Sequence, residues 1–387
     1  TRLVDGTIEY MLQLDYIIDS FSKTKVRKMK PFIRNLLRMS VYQIKYMDAV
    51  PDSAVCNEAV KLAKRHKFAQ LSGFVNGVLR NIARNIDSVQ LDTLSIRYSM
   101  PQWIVDRFVA AYGEKKAEEI FKAFHSKSTI SIRTNLTRCT PDELRAMLEA
   151  EGVTVTAVDE LNYAFVISGF DYLNGLQSFR DGLFYVQDIS SMLVAQTAAP
   201  KKGDYVIDVC AAPGGKSTHI AELLQGSGHV LARDLTDNKV DMIEENIERH
   251  GLNNMSAEVW DAIVPDADSA GKADILICDL PCSGLGVLGR KKDIRYKMTP
   301  ESVDELAALQ RQILDTVHTY VKPNGVLVYS TCTIDEAENE DNVRWFIEKH
   351  PEFELDKSFA EGTGMKQILP GEHGSDGFFI ARFVKSK

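Results

Sequence analysis

The stretch YVIDVCAAPGGKSTHIAELL, residues 205–224, decides the fold of this chain. An apolar run ends at a turn that contains one proline and two glycines, and a helical segment begins near Lys216. Gly214 and Gly215 allow the backbone to approach a ligand closely, and the free N–H groups of the following helix can bind a polar or anionic group. The stretch therefore predicts a strand, a ligand-binding turn and a helix in succession.

The same alternation continues towards the end of the chain. Strands are predicted at YVIDV, HVLARD, MSAEVW, DILICD and GVLVYS, with helices that begin near Lys216, Asn238 and Glu301. This pattern is typical of a parallel sheet with helices on both faces, in which ligands bind beyond the carboxyl ends of the strands. We therefore predict an α/β, Rossmann-like domain over residues 170–387, with its functional site at those strand ends.

Two further parts are predicted before this domain. Residues 1–88 have apolar side chains at helical spacing, as in KPFIRNLLRMSVYQIKYM, and predict an all-α domain. Residues 89–169 mix helices with short strands and predict a small α+β connector, in which Thr140, Pro141 and Glu143 start one helix with a capping box. A chain of 387 residues is long enough for two or three domains with separate cores.

Charge is distributed unevenly along the chain. Residues 1–90 contain 15 Lys and Arg against 8 Asp and Glu, whereas the whole chain contains 46 against 54. A basic module on an acidic body favours a polyanionic partner, although a solvated lysine-rich face explains the charge alone equally well. The basic side chains that cluster in one stretch of this module favour contact with phosphate groups. They are Lys23, Lys25, Arg27, Lys28, Lys30 and Arg34.

The composition argues against a membrane protein and against a metal site. No apolar run reaches the roughly 18 residues that a membrane span requires, and no basic-then-apolar leader opens the chain, so we expect a cytoplasmic protein with no membrane partner. The six cysteines contain no C-x-x-C pair. Cys278 and Cys282 could form half of a zinc site, but the sequence offers no second half, so no metal is predicted. Free thiols are expected, as in a reducing compartment.

Acidic residues at successive strand ends complete a predicted cofactor site. Asp234 ends the second strand, where a carboxylate can accept both hydroxyls of a ribose, and Asp261 follows the third, where it can meet an adenine amino group. An adenosine derivative is therefore expected. S-adenosylmethionine fits better than a dinucleotide or the nucleotide of an NTPase, because the P-loop pattern requires glycine where this chain has Cys210. The predicted cofactor-binding residues are Cys210, Ala211, Ala212, Pro213, Gly214, Gly215, Lys216, Asp234, Asp261 and Asp279.

Two cysteines follow two of the predicted strands. Cys282 lies in ADILICDLPCSGLG, residues 273–286, and Cys332 lies in GVLVYSTCT, residues 325–333. A cysteine at such a position can be a nucleophile or simply a small buried side chain. The two strands are expected to be neighbours in the sheet, so the spacing does not decide which thiol would attack a substrate.

These segments resemble the motifs of the RNA cytosine-5 methyltransferases of the RsmB/NOP family. The resemblance is carried by VIDVCAAPGGKSTHIAELL, DILICDLPCSGLG, LVYSTCTIDEAENEDNV, GLFYVQDISSMLVAQ and HGSDGFFIA. SAVCNEAVKLA with SGFVNGVLR resembles the NusB-like module that precedes the catalytic domain in bacterial small-subunit rRNA members. The resemblance covers almost the whole chain. It implies an S-adenosylmethionine-dependent enzyme that methylates carbon 5 of a cytosine in 16S rRNA, and we expect it to be a monomer.

The resemblance also assigns roles in the site. It implies that Cys332 is the nucleophile, which adds to carbon 6 of cytosine, and that Cys282 assists elimination of the product. DNA cytosine methyltransferases use the proline-cysteine thiol instead, which is the alternative assignment. Asp279 is the expected partner of cytosine N3 and of the exocyclic amine, because a carboxyl group there can stabilise the charge that builds as sulfur adds.

The loop GRKKDIRY, residues 289–296, departs from the family pattern. Lys292 and Tyr296 stand where the family usually has proline and tryptophan, while Arg290 and Asp293 are retained. Arg290 is predicted to contact RNA. The NusB-like module, which begins at Thr1, is expected to lack its first helices.

A second hypothesis comes from another class of function. The chain could be a NusB-like RNA-binding or ribosome-assembly factor whose methyltransferase fold is catalytically idle. The retained cysteines and glycines of the motifs argue against it, because an idle domain could lose them.

Overall fold

A computed structural model describes residues 2–126 and 129–386. The chain forms two compact units. The helical unit consists of Thr1–His125 with Arg290–Lys297, and the sheet unit consists of Ser126–Gly289 with Met298–Lys387. Every helix within the described ranges is too short or too polar to cross a membrane.

Eight helices from the N-terminal part of the chain form the helical unit. The apolar faces that the sequence predicted pack into one core, which contains Leu14, Leu37, Val75 and Leu79. Pro31 occupies the first turn of its helix, where a missing N–H costs nothing. The helices are α1 (Arg2–Glu9), α2 (Met11–Phe21), α3 (Pro31–Tyr46), α4 (Asp52–Arg65), α5 (Ser72–Asn85), α6 (Leu94–Arg97), α7 (Gln102–Tyr112) and α8 (Glu114–Phe124).

The last three of these helices lie beyond residue 88, in the segment that the sequence assigned to the connector. Helices α6 to α8 were assigned to the connector, but they pack within the helical unit. The side chain of Gln13 donates hydrogen bonds to the backbone oxygens of Ile96 and Arg97, and the Ser99 hydroxyl accepts one from Leu12 N at 2.9 Å. These bonds join α2 to α6 and to the turn after it, whereas the strands and helix α9 of the predicted connector belong to the sheet unit.

A short segment from the second half of the chain also belongs to the helical unit. Arg290–Lys297, which ends in helix α14 (Ile294–Lys297), contacts the end of α1. Lys292 forms an ion pair with Glu9, and the Tyr296 hydroxyl donates to the backbone oxygen of Glu9 at 3.2 Å. Arg295 is fully buried here. The two residues that depart from the family pattern are therefore packing residues, and they lie in the segment that begins with Arg290.

The sheet unit contains a small antiparallel sheet. Its strand order is β2-β3-β1-β4, and helix α9 begins with the predicted capping box at Thr140 and Glu143. The guanidinium of Arg133, on β1, donates to the backbone oxygen of Gly215 at 2.8 Å and forms a buried ion pair with Glu222. The elements are β1 (Ile130–Thr134), α9 (Pro141–Ala150), β2 (Thr154–Val158), β3 (Leu161–Ser168), α10 (Gln177–Arg180) and β4 (Phe184–Val186).

The large sheet contains the five predicted strands, and all five are confirmed as parallel neighbours. Helices pack on both of its faces, so its central strands are buried on both sides and are mainly apolar. Its elements are α11 (Ile189–Ala198), β5 (Tyr205–Asp208), α12 (Gly215–Leu223), β6 (His229–Asp234), α13 (Asp237–His250), β7 (Met255–Val259), β8 (Ala273–Asp279), α15 (Pro300–Val317), β9 (Val321–Thr331), α16 (Glu340–Lys349), β10 (Phe353–Leu355), β11 (Met365–Ile368) and β12 (Phe378–Lys385).

The order of this sheet is β10-β12-β9-β8-β5-β6-β7, with β11 also paired to β12. The α/β class is confirmed, and the sheet contains three further strands that the sequence analysis did not predict. Strand β12 is antiparallel to β9, and β10 and β11 are antiparallel to β12. The antiparallel strands do not alter the predicted site, because the parallel strands β5 to β9 bring their carboxyl ends to one edge of the sheet.

Candidate active site

The turn after β5 has the geometry that its glycines allow. The peptide bond between Ala212 and Pro213 is cis. Gly214 has a φ of 103°, a backbone conformation that residues other than glycine rarely adopt. Helix α12 begins at the next residue. A Cβ atom on Gly215 would lie 3.1 Å from the ring of Tyr185, so the small antiparallel sheet packs directly against the start of this helix.

Asp234 lies against this turn. Its carboxylate accepts hydrogen bonds from the backbone N–H groups of Ala212 at 2.9 Å and Leu235 at 2.7 Å, and it pairs with Lys239 Nζ at 2.8 Å. Asp261, the other predicted adenosine contact, accepts a hydrogen bond from Ile263 N at 3.1 Å. The sequence predicted neither Lys239 nor the bond to Ala212, which ties the end of β6 to the glycine turn.

An ion pair joins the turn to the end of β8. Lys216 Nζ lies 2.6 Å from Asp279 Oδ2, and the Ser330 hydroxyl donates to Asp279 Oδ1 at 2.7 Å. Burial opposes the charge of Lys216, but the attraction of Asp279 outweighs it and raises the pKa of the lysine. Ser330 was missed, although it stands opposite Asp279 in the register of β8 and β9 and precedes the threonine-cysteine pair.

The two candidate thiols lie side by side. Strands β8 and β9 are parallel neighbours, and the Sγ atoms of Cys282 and Cys332, which follow them, are 3.3 Å apart. Both cysteines are half-buried. The hydrogen bond with Cys332, together with burial, holds the pKa of Cys282 well above the usual range of a thiol. A single proton shared between the sulfur atoms would leave one of them as a thiolate.

Two glycines allow the loops around the thiols to cross. Gly286 N donates to the backbone oxygen of Cys332 at 3.1 Å, and Gly377 N donates to the oxygen of Gly286 at 2.9 Å. A Cβ atom on Gly286 would lie 2.2 Å from the oxygen of Gly377, which is far inside van der Waals contact. Gly286 and Gly377 are therefore required for the backbone to pass beside Cys332.

A fourth carboxyl group at this edge was not predicted to be functional. Asp208, at the end of β5, accepts a hydrogen bond from the Ser217 hydroxyl, and its Oδ1 atom is buried without a hydrogen-bond partner. Complete burial raises its pKa to about 7, and the bond from Ser217 offsets only part of this rise. Asp208 is therefore a buried carboxyl group beside the glycine turn, closed to solvent in this structure.

Outside this edge, three side chains form the kind of group that can bind a metal. Asp315, His318 and His350 bring one ligand atom each to within 4.8 Å of the others, although Lys349 Nζ already lies 2.9 Å from Asp315. The sequence missed this group because His350, its third member, is distant along the chain from Asp315 and His318. Cys278, one of the two cysteines considered as half of a zinc site, is fully buried in the core beside the sheet.

The predicted phosphate-binding residues surround the turn between α2 and α3. All are exposed except Arg34, which is half-buried. They face solvent as a phosphate contact requires, and their role in RNA binding stays a prediction.

Comparison with known proteins places the chain in a family. Models match the NusB family at residues 1–84, a ferredoxin-like domain of RsmF/B-like methyltransferases at 100–170, and the 16S rRNA methyltransferase RsmB/F at 195–384. A probable ribosomal RNA small subunit methyltransferase B of Bacillus subtilis is 38% identical over 408 residues, which covers 100% of this chain and 90% of the relative. The chain belongs to the ribosomal RNA small subunit methyltransferase B family.

Other relatives and solved structures agree with this membership. The ribosomal RNA small subunit methyltransferase B of Salmonella paratyphi A is 32% identical and covers 99% of this chain and 89% of that protein. A methyltransferase homologue from Pyrococcus horikoshii is 26% identical with a TM-score of 0.64, covering 75% of this chain and 97% of its own. NSun6 from the same organism, solved with SFG, has the same fold at 24% identity and a TM-score of 0.67, covering 74% and 98%. The predicted family, the methyltransferase class and S-adenosylmethionine as cofactor are confirmed.

Proposed function

We propose that this protein methylates carbon 5 of a cytosine in 16S rRNA through a covalent bond between Cys332 and carbon 6 of the base. The main support is the distance of 3.3 Å between the Sγ atoms of Cys282 and Cys332 at the ends of neighbouring strands. Membership of a family named for ribosomal RNA small subunit methylation supports the substrate class.

The chemistry of cytosine explains why such a site needs a thiolate. Carbon 5 is a weak nucleophile until sulfur adds to carbon 6, because the addition moves an electron pair towards carbon 5. S-adenosylmethionine supplies the methyl group that carbon 5 then accepts. A base removes the carbon 5 proton, the electron pair of that C–H bond restores the double bond between carbons 5 and 6, and Cys332 leaves as a thiolate. Cys282 is the proposed partner in this elimination, because its thiol can donate a hydrogen bond to the departing sulfur atom.

Charge on the neighbouring side chains favours Cys332 as the attacking group. Lys216 interacts electrostatically with the Cys332 thiol, and a nearby cation stabilises a thiolate. Asp279, held by Lys216 and Ser330, offers a carboxyl group to cytosine N3 and the exocyclic amine. Orientation of this kind contributes on the order of 7–11 kcal/mol in enzymes that align two reactants.

The remaining strand ends would hold the cofactor. The turn at Gly214 and Gly215 allows close approach of the backbone, and Asp234 and Asp261 offer carboxylates to the ribose and the adenine. Structured RNA would contact the exposed basic cluster between α2 and α3, and its target base must leave the stack to reach a thiol.

The test compares single cysteine variants of the full chain. Cys282→Ala should accumulate RNA that stays attached to protein after denaturing electrophoresis, because Cys332 can add but elimination fails. Cys332→Ala should form no adduct and incorporate no methyl group, and Cys139→Ala, which lies outside the site, should behave as wild type.

Two results would contradict this scheme. An adduct in Cys332→Ala but not in Cys282→Ala would reverse the roles of the thiols. Methylation of a base position other than carbon 5 of cytosine, mapped by mass spectrometry of digested rRNA, would contradict the proposed reaction itself.

A further inference from the structure

A buried carboxylate holds the loop that carries Cys282. Glu338, in the stretch that follows Cys332, is fully buried. Its Oε1 atom accepts hydrogen bonds from Ser283 N at 2.8 Å and from Gln310 Nε2 at 3.0 Å, and its Oε2 atom accepts one from the Ser283 hydroxyl. Ser283 directly follows Cys282, so the carboxylate is one residue away from the thiol.

The same network holds the residue before Cys282. Gln310 Nε2 also donates to the backbone oxygen of Pro281 at 2.8 Å, and the Tyr329 hydroxyl donates to Gln310 Oε1 at 3.0 Å and to the backbone oxygen of Glu338. Gln310 and Tyr329 are fully buried. The backbone on both sides of Cys282 is therefore fixed by side chains of α15, β9 and the loop before α16.

A further hydrogen bond connects this network to the loop of Cys332. The hydroxyl oxygens of Ser283 and Thr333 are 3.0 Å apart, and Thr333 directly follows Cys332. Glu338, Ser283 and Thr333 thus form a continuous path between the two loops. The hydrogen bond between Ser283 and Thr333 therefore joins the two residues that directly follow the thiols.

The carboxylate also makes the two thiols electrostatically different. Burial disfavours the ionised form of Glu338 and raises its pKa. The three hydrogen bonds that Glu338 accepts favour the ionised form and offset part of this rise. The titratable groups that interact with it are Asp335, Tyr329 and Cys282. Its charge acts on Cys282, whereas the Lys216 ammonium acts on Cys332.

We propose that Glu338 is a positioning residue that fixes the separation of the two thiols through Ser283 and keeps the shared proton on Cys282. This inference rests on the proposed function, and it explains a part of the IDEAENE stretch that the methyl transfer reaction does not otherwise use. A thiol that retains its proton cannot compete as a nucleophile, and it stays beside the sulfur that must later be expelled. Glu338 acts through Ser283 and need not touch either substrate.

Three variants separate the shape of Glu338 from its charge. Glu338→Gln keeps an acceptor for Ser283 N and Gln310 but removes the negative charge. Glu338→Ala removes the acceptor of all three hydrogen bonds, and Ser283→Ala removes the hydroxyl that bridges Glu338 and Thr333. Glu336→Gln is the control, because Glu336 is exposed in the same loop and pairs with Arg344.

The readouts are methyl transfer to 16S rRNA and the alkylation of each cysteine by iodoacetamide, followed by peptide mass spectrometry across a range of pH. We expect Glu338→Ala to lower kcat by about 10²-fold with little change in KM for the cofactor, as when a reacting group is misplaced by ~1 Å. Glu338→Gln should lower the pH at which Cys282 is alkylated. The control variant Glu336→Gln should be indistinguishable from wild type.

A folded Glu338→Gln with wild-type kcat and wild-type alkylation of both cysteines would overturn the inference. If Glu338→Ala does not fold, Glu338→Gln and Ser283→Ala still decide between the two outcomes. The alkylation measurement needs no RNA, so it tests Glu338 even if the protein turns out to methylate something other than cytosine.

Discussion

At the scale of single residues, the polar groups and thiols of the candidate site stand at strand ends. Asp234, Asp279, Cys282 and Cys332 follow apolar runs, and the structure places each of them at the carboxyl end of a strand. Their detection needed only the periodicity of the chain and the rule that parallel strands end at one edge. Ser283, Ser330 and Glu338 were missed as site residues because their importance lies in hydrogen bonds to other strands or loops, which no local pattern encodes.

Asp208 provides a prediction that depends on pH. Its pKa of about 7 in the folded protein lies above the value of 3.8 for a free side chain, because burial disfavours the charge. Below both values the carboxyl group is protonated in both states. As the pH rises between them, the unfolded chain loses the proton first, so the free energy of unfolding falls; above both values it is constant.

Asp208→Asn should remove this pH dependence. Since one unit of pKa corresponds to about 1.4 kcal/mol, wild type should lose roughly 2–3 kcal/mol relative to the variant between pH 5 and pH 8. Urea denaturation at several pH values, with Asp241→Asn at an exposed position as the control, measures the difference. Parallel pH profiles for wild type and Asp208→Asn would show that the carboxyl group is not perturbed in this way.

At the scale of elements, the crossing of two loops beside Cys332 should tolerate no side chain. Gly286→Ala would place Cβ against the backbone of Gly377, and neither backbone can yield without breaking its bond to the other. We expect a loss of at least about 2 kcal/mol of stability, at the level of overpacking in a core, and a larger loss of activity because the Cys332 loop must move. Thermal unfolding and methyl incorporation measure the two effects.

A matched substitution on an open helix face should have the opposite sign. Gly77 lies within α5, and a Cβ atom there would meet nothing within 4 Å. Gly77→Ala should therefore stabilise the protein by roughly 0.5–1 kcal/mol. If Gly286→Ala were as stable and active as Gly77→Ala, the close backbone crossing would not exist in solution.

The elements that sequence reasoning missed share a physical cause. The five parallel strands were predicted because they belong to a regular alternation of strands and helices, whereas β10 to β12 follow the last strand of that alternation. Strand β12 gains its place from pairing with β9 along six residues. Arg290–Lys297 joins the helical unit through Glu9 and Ser99, which are remote in sequence, so its location could not be inferred from its own polar composition.

At the scale of the whole molecule, the basic surface and the candidate catalytic residues lie in different units. The thiols, the carboxylates and the glycine turn all lie in the sheet unit, whereas the exposed basic cluster lies in the helical unit. Lysine and arginine side chains that contact phosphates release counterions, so they give binding that weakens steeply with salt and carries little sequence information. The affinity for RNA and the chemistry on its base should therefore respond to different substitutions.

Replacement of Lys23, Lys25 and Lys28 by alanine tests this separation. Each lost phosphate contact should reduce the slope of log affinity against log salt by about 1 or slightly less, so the triple variant should lose ~2–3 from the slope while thiol alkylation in the sheet unit is unchanged. Fluorescence anisotropy with a 16S rRNA fragment over a salt series measures the slope. Lys201 and Lys202, exposed lysines of the sheet unit, give the matched control when replaced by alanine. A slope that fell equally in the control would mean that the cluster between α2 and α3 is only a solvated surface, because nonspecific loss of positive charge would then explain the effect.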